Sequence, residues 1–243
     1  MGNKSADHVL KRYLDDVDYP EGNRNRLYRR IRRFIDASLT NFSEYIAKVG
    51  ESCSSSDSYN TLGHFLSTWT LGRTAFSFEV IAYASQRGAL FEAGSLLLEQ
   101  TAWAYEVDML TQVEQNEYSA TKAIGNLKTI APSVGRFYWW LTSHAHWTYD
   151  AHRKSIVSSG EDEVGHMLAS SYFKALSFAA MLILLNIMVN CALKMYRDFE
   201  DVIGSEYLKL KDVDLDMRPY LKEILAICPQ DKDLIELASF ATA

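Results

Sequence analysis

Hydrophobic side chains recur along this chain at steps of three and four residues, over long stretches that contain no proline. The four prolines stand at 20, 132, 219 and 229, so 21–131 and 133–218 are open to long helices. There is no run of alternating β-branched residues bounded by turn residues, and no internal repeat. The pattern predicts a short helix over 6–18, stopped ahead of Pro20. A long amphipathic helix follows over 23–49, with Leu27, Ile31, Ile35, Leu39 and Phe42 turned inward and Gly50 at its end. "ESCSSSDSYN" reads as a loop. Further helices are predicted over 60–85, 86–113 and 117–130, and Pro132 opens one that carries a group of histidines. A loop at 158–163 precedes a long apolar helix over 162–201. Two short helices, near 217–227 and 231–241, complete the chain.

This order of elements predicts an all-α fold, an antiparallel helical bundle around the long apolar helix. Residues 1–203 form the bundle domain in this reading, and 204–243 a short acidic C-terminal helical appendage. Charge sharpens the division. Residues 198–236 hold eleven acids against five bases, a local balance equal to the formal net charge of -6 of the whole chain. At the other end "NRNRLYRRIRRF" places six arginines between Arg24 and Arg33. The two patches are able to meet each other. A net negative chain is poorly suited to general nucleic-acid binding. The basic helix, through Arg26, Arg29, Arg30 and Arg33, is still a place where RNA or phosphate could be held, against the alternative of a solvated face balanced by Asp15, Asp16 and Asp18.

"ALSFAAMLILLNIMVNCAL", from Ala175 to Leu193, carries no charge and is nominally long enough to span a bilayer. Asn186 and Asn190, one turn apart on one face, and the lack of a second such segment favour the central helix of a bundle instead. No membrane partner is therefore expected. Cys53, Cys191 and Cys228 are odd in number and far apart, which suggests neither a disulfide framework nor a structural zinc site. With no signal peptide evident in the charged first twenty residues, the expected location is the cytoplasm. "MGNKSA" begins like a myristoylation site but has Ala6 where Ser or Thr belongs.

Candidate chemistry concentrates in "LTSHAHWTYDAH", residues 141–152, which holds His144, His146, Asp150 and His152. On one unbroken helix His144 and His146 point about 200° apart, so the three rings cannot share one ion, and no metal or cofactor is expected. His146 and Asp150 are i and i+4 and able to pair, as a general base with its carboxylate or as a structural pair. Glu92, Glu99 and Glu106 recur at seven-residue spacing along one helix face, either as a solvated stripe or as inward carboxylates. A di-metal site would want paired Glu-x-x-His motifs, and only Glu163 to His166 is present. Arg87, Glu92 and His146 each interrupt an apolar helix face. They are expected to form one largely buried polar network between two helices, because such groups are costly to bury unpaired.

"RGALFEAGSLLLEQTAWAYEVD" and the later "FYWWLTSHAHWTYDAH" together resemble an uncharacterised group of bacterial all-helical proteins that carry an Arg-x-x-x-Phe-Glu helix and a later Ser-x-x-His helix. Arg87, Phe91, Glu92, Ser143 and His146 occupy the matching positions. The group is distantly similar to HEPN-type helical domains, some of which are RNases in bacterial conflict systems. Their catalytic Arg-x4–6-His is absent here, since seven residues separate Arg136 from His144. What the resemblance implies is a non-catalytic helical partner protein: a cytoplasmic interaction or regulatory module, in a bacterial defence or toxin–antitoxin setting, bound to another protein or to copies of itself. The alternative is a HEPN-like RNase or other hydrolase that uses His146 with Asp150, and Glu92 or His144 nearby.

Overall fold

The computed structural model describes residues 22–54, 61–84, 90–108, 119–145, 156–158, 164–166, 171–227 and 229–241. Within them lie α1 (Gly22–Ser54), α2 (Thr61–Ala84), α3 (Leu90–Val107), α4 (Ala120–Asn126) with a 3-10 turn at Leu127–Thr129, and α5 (Val134–Ala145). Then come α6 (Ser171–Met195), a 3-10 turn at Arg197–Phe199, α7 (Glu200–Ile227) and α8 (Lys232–Ala241). The fold is all-α. Its one departure is a short antiparallel hairpin of β1 (Ile156–Ser158) and β2 (Val164–His166), in which Ile156 lies opposite His166 and Ser158 opposite Val164. The expected helix at 6–18 falls outside the described residues.

α6 is the axis of the bundle. Between Ala175 and Ala192 its side chains are buried all the way round, except that Asn186 and Asn190 reach partway to the surface. Those two hold each other: the Asn190 side-chain amide donates to the Asn186 carbonyl at 3.0 Å. Among the described residues, Ala175–Met195 is the one segment long and apolar enough to cross a membrane. In the fold it is covered by α1, α3, α7 and α8. Burying a Leu or Ile side chain contributes roughly 1.5–3 kcal/mol, so this helix dominates the stabilisation of the bundle.

The inner face of α1 (Leu27, Ile31, Ile35, Leu39, Phe42) is buried as the periodicity predicts, and the helix continues through Gly50 to Ser54. Nothing stands within 4 Å of a Cβ built on Gly50, so neither packing nor turn geometry forces a stop there. The long helix predicted over 162–201 is shorter at both ends. The β1–β2 hairpin occupies its expected start, and a 3-10 turn separates α6 from α7. α7 is in turn longer than the helix predicted near 217–227: it runs from Glu200, bends at Gly204, and carries Pro219 on its exposed side.

Residues after 203 share the core of the rest. Leu210, Val213, Met217, Leu221, Ile224, Leu234, Leu237 and Phe240 are buried in one hydrophobic cluster with α1 and α6. At the centre Gly94 of α3 is a point of close approach. A Cβ there would meet Leu141 of α5 at 3.1 Å and Leu184 of α6 at 3.4 Å. Glycine lets three helices converge at that level.

Candidate interaction face and buried polar brace

α6 is apolar on every side and enclosed, whereas α2 carries apolar side chains on two opposite faces of which one is covered. One face of α2 lies against α1 and α3 through Leu71, Ala75, Phe78 and Ala82. The opposite face presents Leu62, Phe65, Trp69, Phe76 and Val80 to solvent. Their spacing of three, four, seven and four residues keeps them on one stripe of the helix. The stripe is about 27 Å long at 1.5 Å per residue. Five of the nine large exposed apolar side chains among the described residues belong to it. A sixth, Leu96 of α3, lies one turn before Gln100, whose side-chain carbonyl accepts a hydrogen bond from Thr74 of α2 at 3.2 Å. Its charges are few. In 61–84 only Arg73 and Glu79 are ionic, and the Arg73 guanidinium lies over the Trp69 ring at 4.7 Å. Gly72, on the edge of the stripe, has open space where a Cβ would stand.

Behind this face a polar brace fixes the rotation of α2. His64 and Ser67, three residues apart, point inward to Asp108 just beyond the end of α3. His64 Nδ1 is 2.9 Å from Asp108 Oδ1, and the Ser67 hydroxyl donates to the same oxygen at 2.7 Å. Ser67 is also 2.9 Å from the hydroxyl of Tyr196, which follows α6. Since Ser67 gives its one proton to the carboxylate, Tyr196 is the donor in that contact. The His64 ring stands edge-on to Tyr196, with centroids 5.0 Å apart, and tilts against Phe199 at 5.6 Å. The side chains of His64 and Asp108 are only 8% and 10% exposed. Ser67 bonds to the carboxylate rather than to the imidazole. The order therefore differs from that of a nucleophile–base–acid triad and suits a tie between three helices.

The sequence-predicted candidates distribute differently. His144, at the end of α5, is tied to its own helix: its Nδ1 donates to the Trp140 carbonyl at 2.8 Å, and its ring lies 4.1 Å from that of Trp140. Ser143 donates to the same carbonyl at 2.8 Å. Arg87, His146, Asp150 and His152 lie outside the described residues, and Glu92 is placed only as backbone in the first turn of α3. Glu99, from the seven-residue series, accepts the Tyr138 hydroxyl at 2.6 Å. Burial, and then the hydrogen bond and charge of Glu99, push Tyr138 up to about 12. Among the described residues no three His, Cys, Asp or Glu side chains are grouped to hold a metal ion.

Arg26, Arg29, Arg30 and Arg33 are all exposed on α1. The basic and acidic ends of the chain do meet there: both terminal nitrogens of Arg30 reach the Glu223 carboxylate, at 3.1 and 3.2 Å, while its guanidinium lies over Tyr220. A second tie between α1 and α7 joins Lys48 to Glu206 at 2.6 Å. The hydrogen bonds from Lys48 and Ser205 hold the Glu206 carboxyl down at about 2.

The brace escaped sequence reasoning because the bonds that join its elements link residues 41 to 129 positions apart. The one local signal was His64 and Ser67 at a three-residue step inside an apolar helix. The chain matches no known protein-family model, no curated protein and no solved structure.

Proposed function

We propose that this protein is a helical interaction module whose binding face is the outer stripe of α2. One observation carries the reading: a helix with apolar side chains on two opposite faces has only one of them covered. Such helices are ordinarily buried, and a contiguous apolar patch of this kind marks an association surface rather than a scatter of surface side chains. The five side chains include two phenylalanines and a tryptophan, types that anchor interfaces. The brace of His64, Ser67, Asp108 and Tyr196 supports the same reading, since it sets the angle at which the stripe is presented. A cytoplasmic role in a bacterial conflict system, as a non-catalytic partner, is what the resemblance of 87–152 adds. The hydrolase alternative rests on His146, Asp150 and Glu92.

Photo-crosslinking from position 69 in cells that produce the protein tests the proposal. The expected result is one dominant crosslinked species that Phe76→Glu abolishes without lowering the melting temperature, because Phe76 is exposed. An undiminished species in that variant would move the binding face elsewhere.

A further inference from the structure

The stripe reads nearly the same from either end. Counted from Leu71, Leu62 is nine residues before and Val80 nine after, Phe65 six before and Phe76 five after, and Trp69 and Arg73 two on either side. An isologous pair needs this property: about a two-fold axis, each residue meets its mirror position on the other copy. We infer that α2 pairs antiparallel with α2 of a second copy of this chain, about a two-fold axis that crosses the outer stripe at the level of Leu71. The inference rests on the reading of α2 as the binding face and names the occupant. In this pairing Leu62 lies opposite Val80 of the second copy and Phe65 opposite Phe76. The Trp69 ring faces Gly72 of the second copy, whose missing side chain leaves room for it.

Charge and area agree. With one arginine and one glutamate, α2 is neutral, so two copies approach without repulsion. A strongly charged partner would find little to pair with on this face. A membrane surface would also be a poor occupant, because helices that lie in it carry several basic residues beside the apolar face. The five side chains are 39%, 62%, 53%, 68% and 54% exposed in chain order. At about 150–250 Å² for each aromatic ring, and less for Leu and Val, they offer roughly 500 Å² per copy. Doubled, that is about 1,000 Å², the lower bound for a specific interface, so the expected dimer is weak and concentration-dependent.

The register makes a test that other partners cannot imitate. Phe65→Lys places two lysines against two Phe76 rings in its own dimer, and Phe76→Glu likewise places two glutamates against two Phe65 rings. Mixed together, the two variants pair Lys with Glu at one end of the stripe and keep Phe65 against Phe76 at the other. Sedimentation velocity on the full chain, from about 1 to 200 µM, should show wild type shifting from monomer to dimer in that range. Each variant alone should weaken association at least about tenfold, and an equimolar mixture should restore it, with melting temperatures unchanged. A wild type that stays monomeric throughout, or a mixture no better than its components, overturns the pairing. If wild type is monomeric but Phe76→Glu abolishes crosslinking to a host protein, the binding face stands and the second copy falls. If crosslinking is also unaffected, both fall. A melting temperature that drops sharply in Phe76→Glu would mean that the stripe is covered by its own chain, which overturns the pairing as well.

Discussion

Asp108 is the acceptor on which the buried brace converges. Truncating it takes from Ser67 and His64 the acceptor they share, in a site that water barely reaches. Asp108→Ala should therefore cost about 2–4 kcal/mol in urea unfolding. Ser67→Ala added to it should cost less than the two separately, since the shared acceptor has already gone. Additive losses would show that the two residues act independently and that the brace is no unit. A residue of this kind is hard to read from sequence. Asp108 follows a run of apolar and small residues and resembles any helix-ending aspartate. Its partners come into view only when the end of α3, the start of α2 and the end of α6 are brought together. The histidines of 141–152 illustrate the reverse: three in twelve residues drew attention by proximity in the chain, yet His144 is occupied within its own turn.

Element by element, the three-and-four spacing placed α2 and the starts of α1 and α5 closely, while α1 runs past Gly50 to Ser54 and α3 ends at Val107. It did less well where phase is absent. α6 is apolar all round and α2 is apolar on two opposite faces, so the sequence could not say which face of α2 would lie inward, or that the other would not. Ion pairs between elements were equally silent, although the basic start of α1 and the acidic α7 were visible as blocks. The tie between Lys48 of α1 and Glu206 of α7 carries a pH signature. Glu206 is held at about 2 in the fold against an ordinary 4.5, so its ionised form is the one the fold favours. That contribution is complete above 4.5 and is lost as the pH falls through about 2. Melting temperatures measured across this window should fall more steeply in wild type than in Glu206→Gln. Parallel curves would mean that the pair contributes nothing to acid stability.

For the whole molecule, α7 and α8 complete the core that α1 and α6 begin. Leu237 of α8 is fully buried in that shared cluster, and Leu237→Ala should cost about 2–5 kcal/mol. All five tryptophans, at 69, 103, 139, 140 and 147, precede residue 203, so their fluorescence reports on the rest of the bundle. The substitution should move the fluorescence and helix-content transitions together. A fluorescence midpoint that stays put while helix content is lost in an earlier phase would make the C-terminal helices a separate unit. The same arrangement sets a problem during synthesis. Of the helices that cover α6, α1 and α3 are made before it and α7 and α8 after it. As Ala175–Met195 leaves the ribosome, half of its surface has a groove waiting and half has none. At about 5–20 residues per second, α8 is finished roughly 2–10 s later. For those seconds the nascent chain displays a segment, free of charge from Ala175 to Leu193, of a length that translocation machinery inserts into bilayers. How fast the early helices dock it sets how long that machinery can reach it, so the order of helices along the gene bears on where the finished protein ends up.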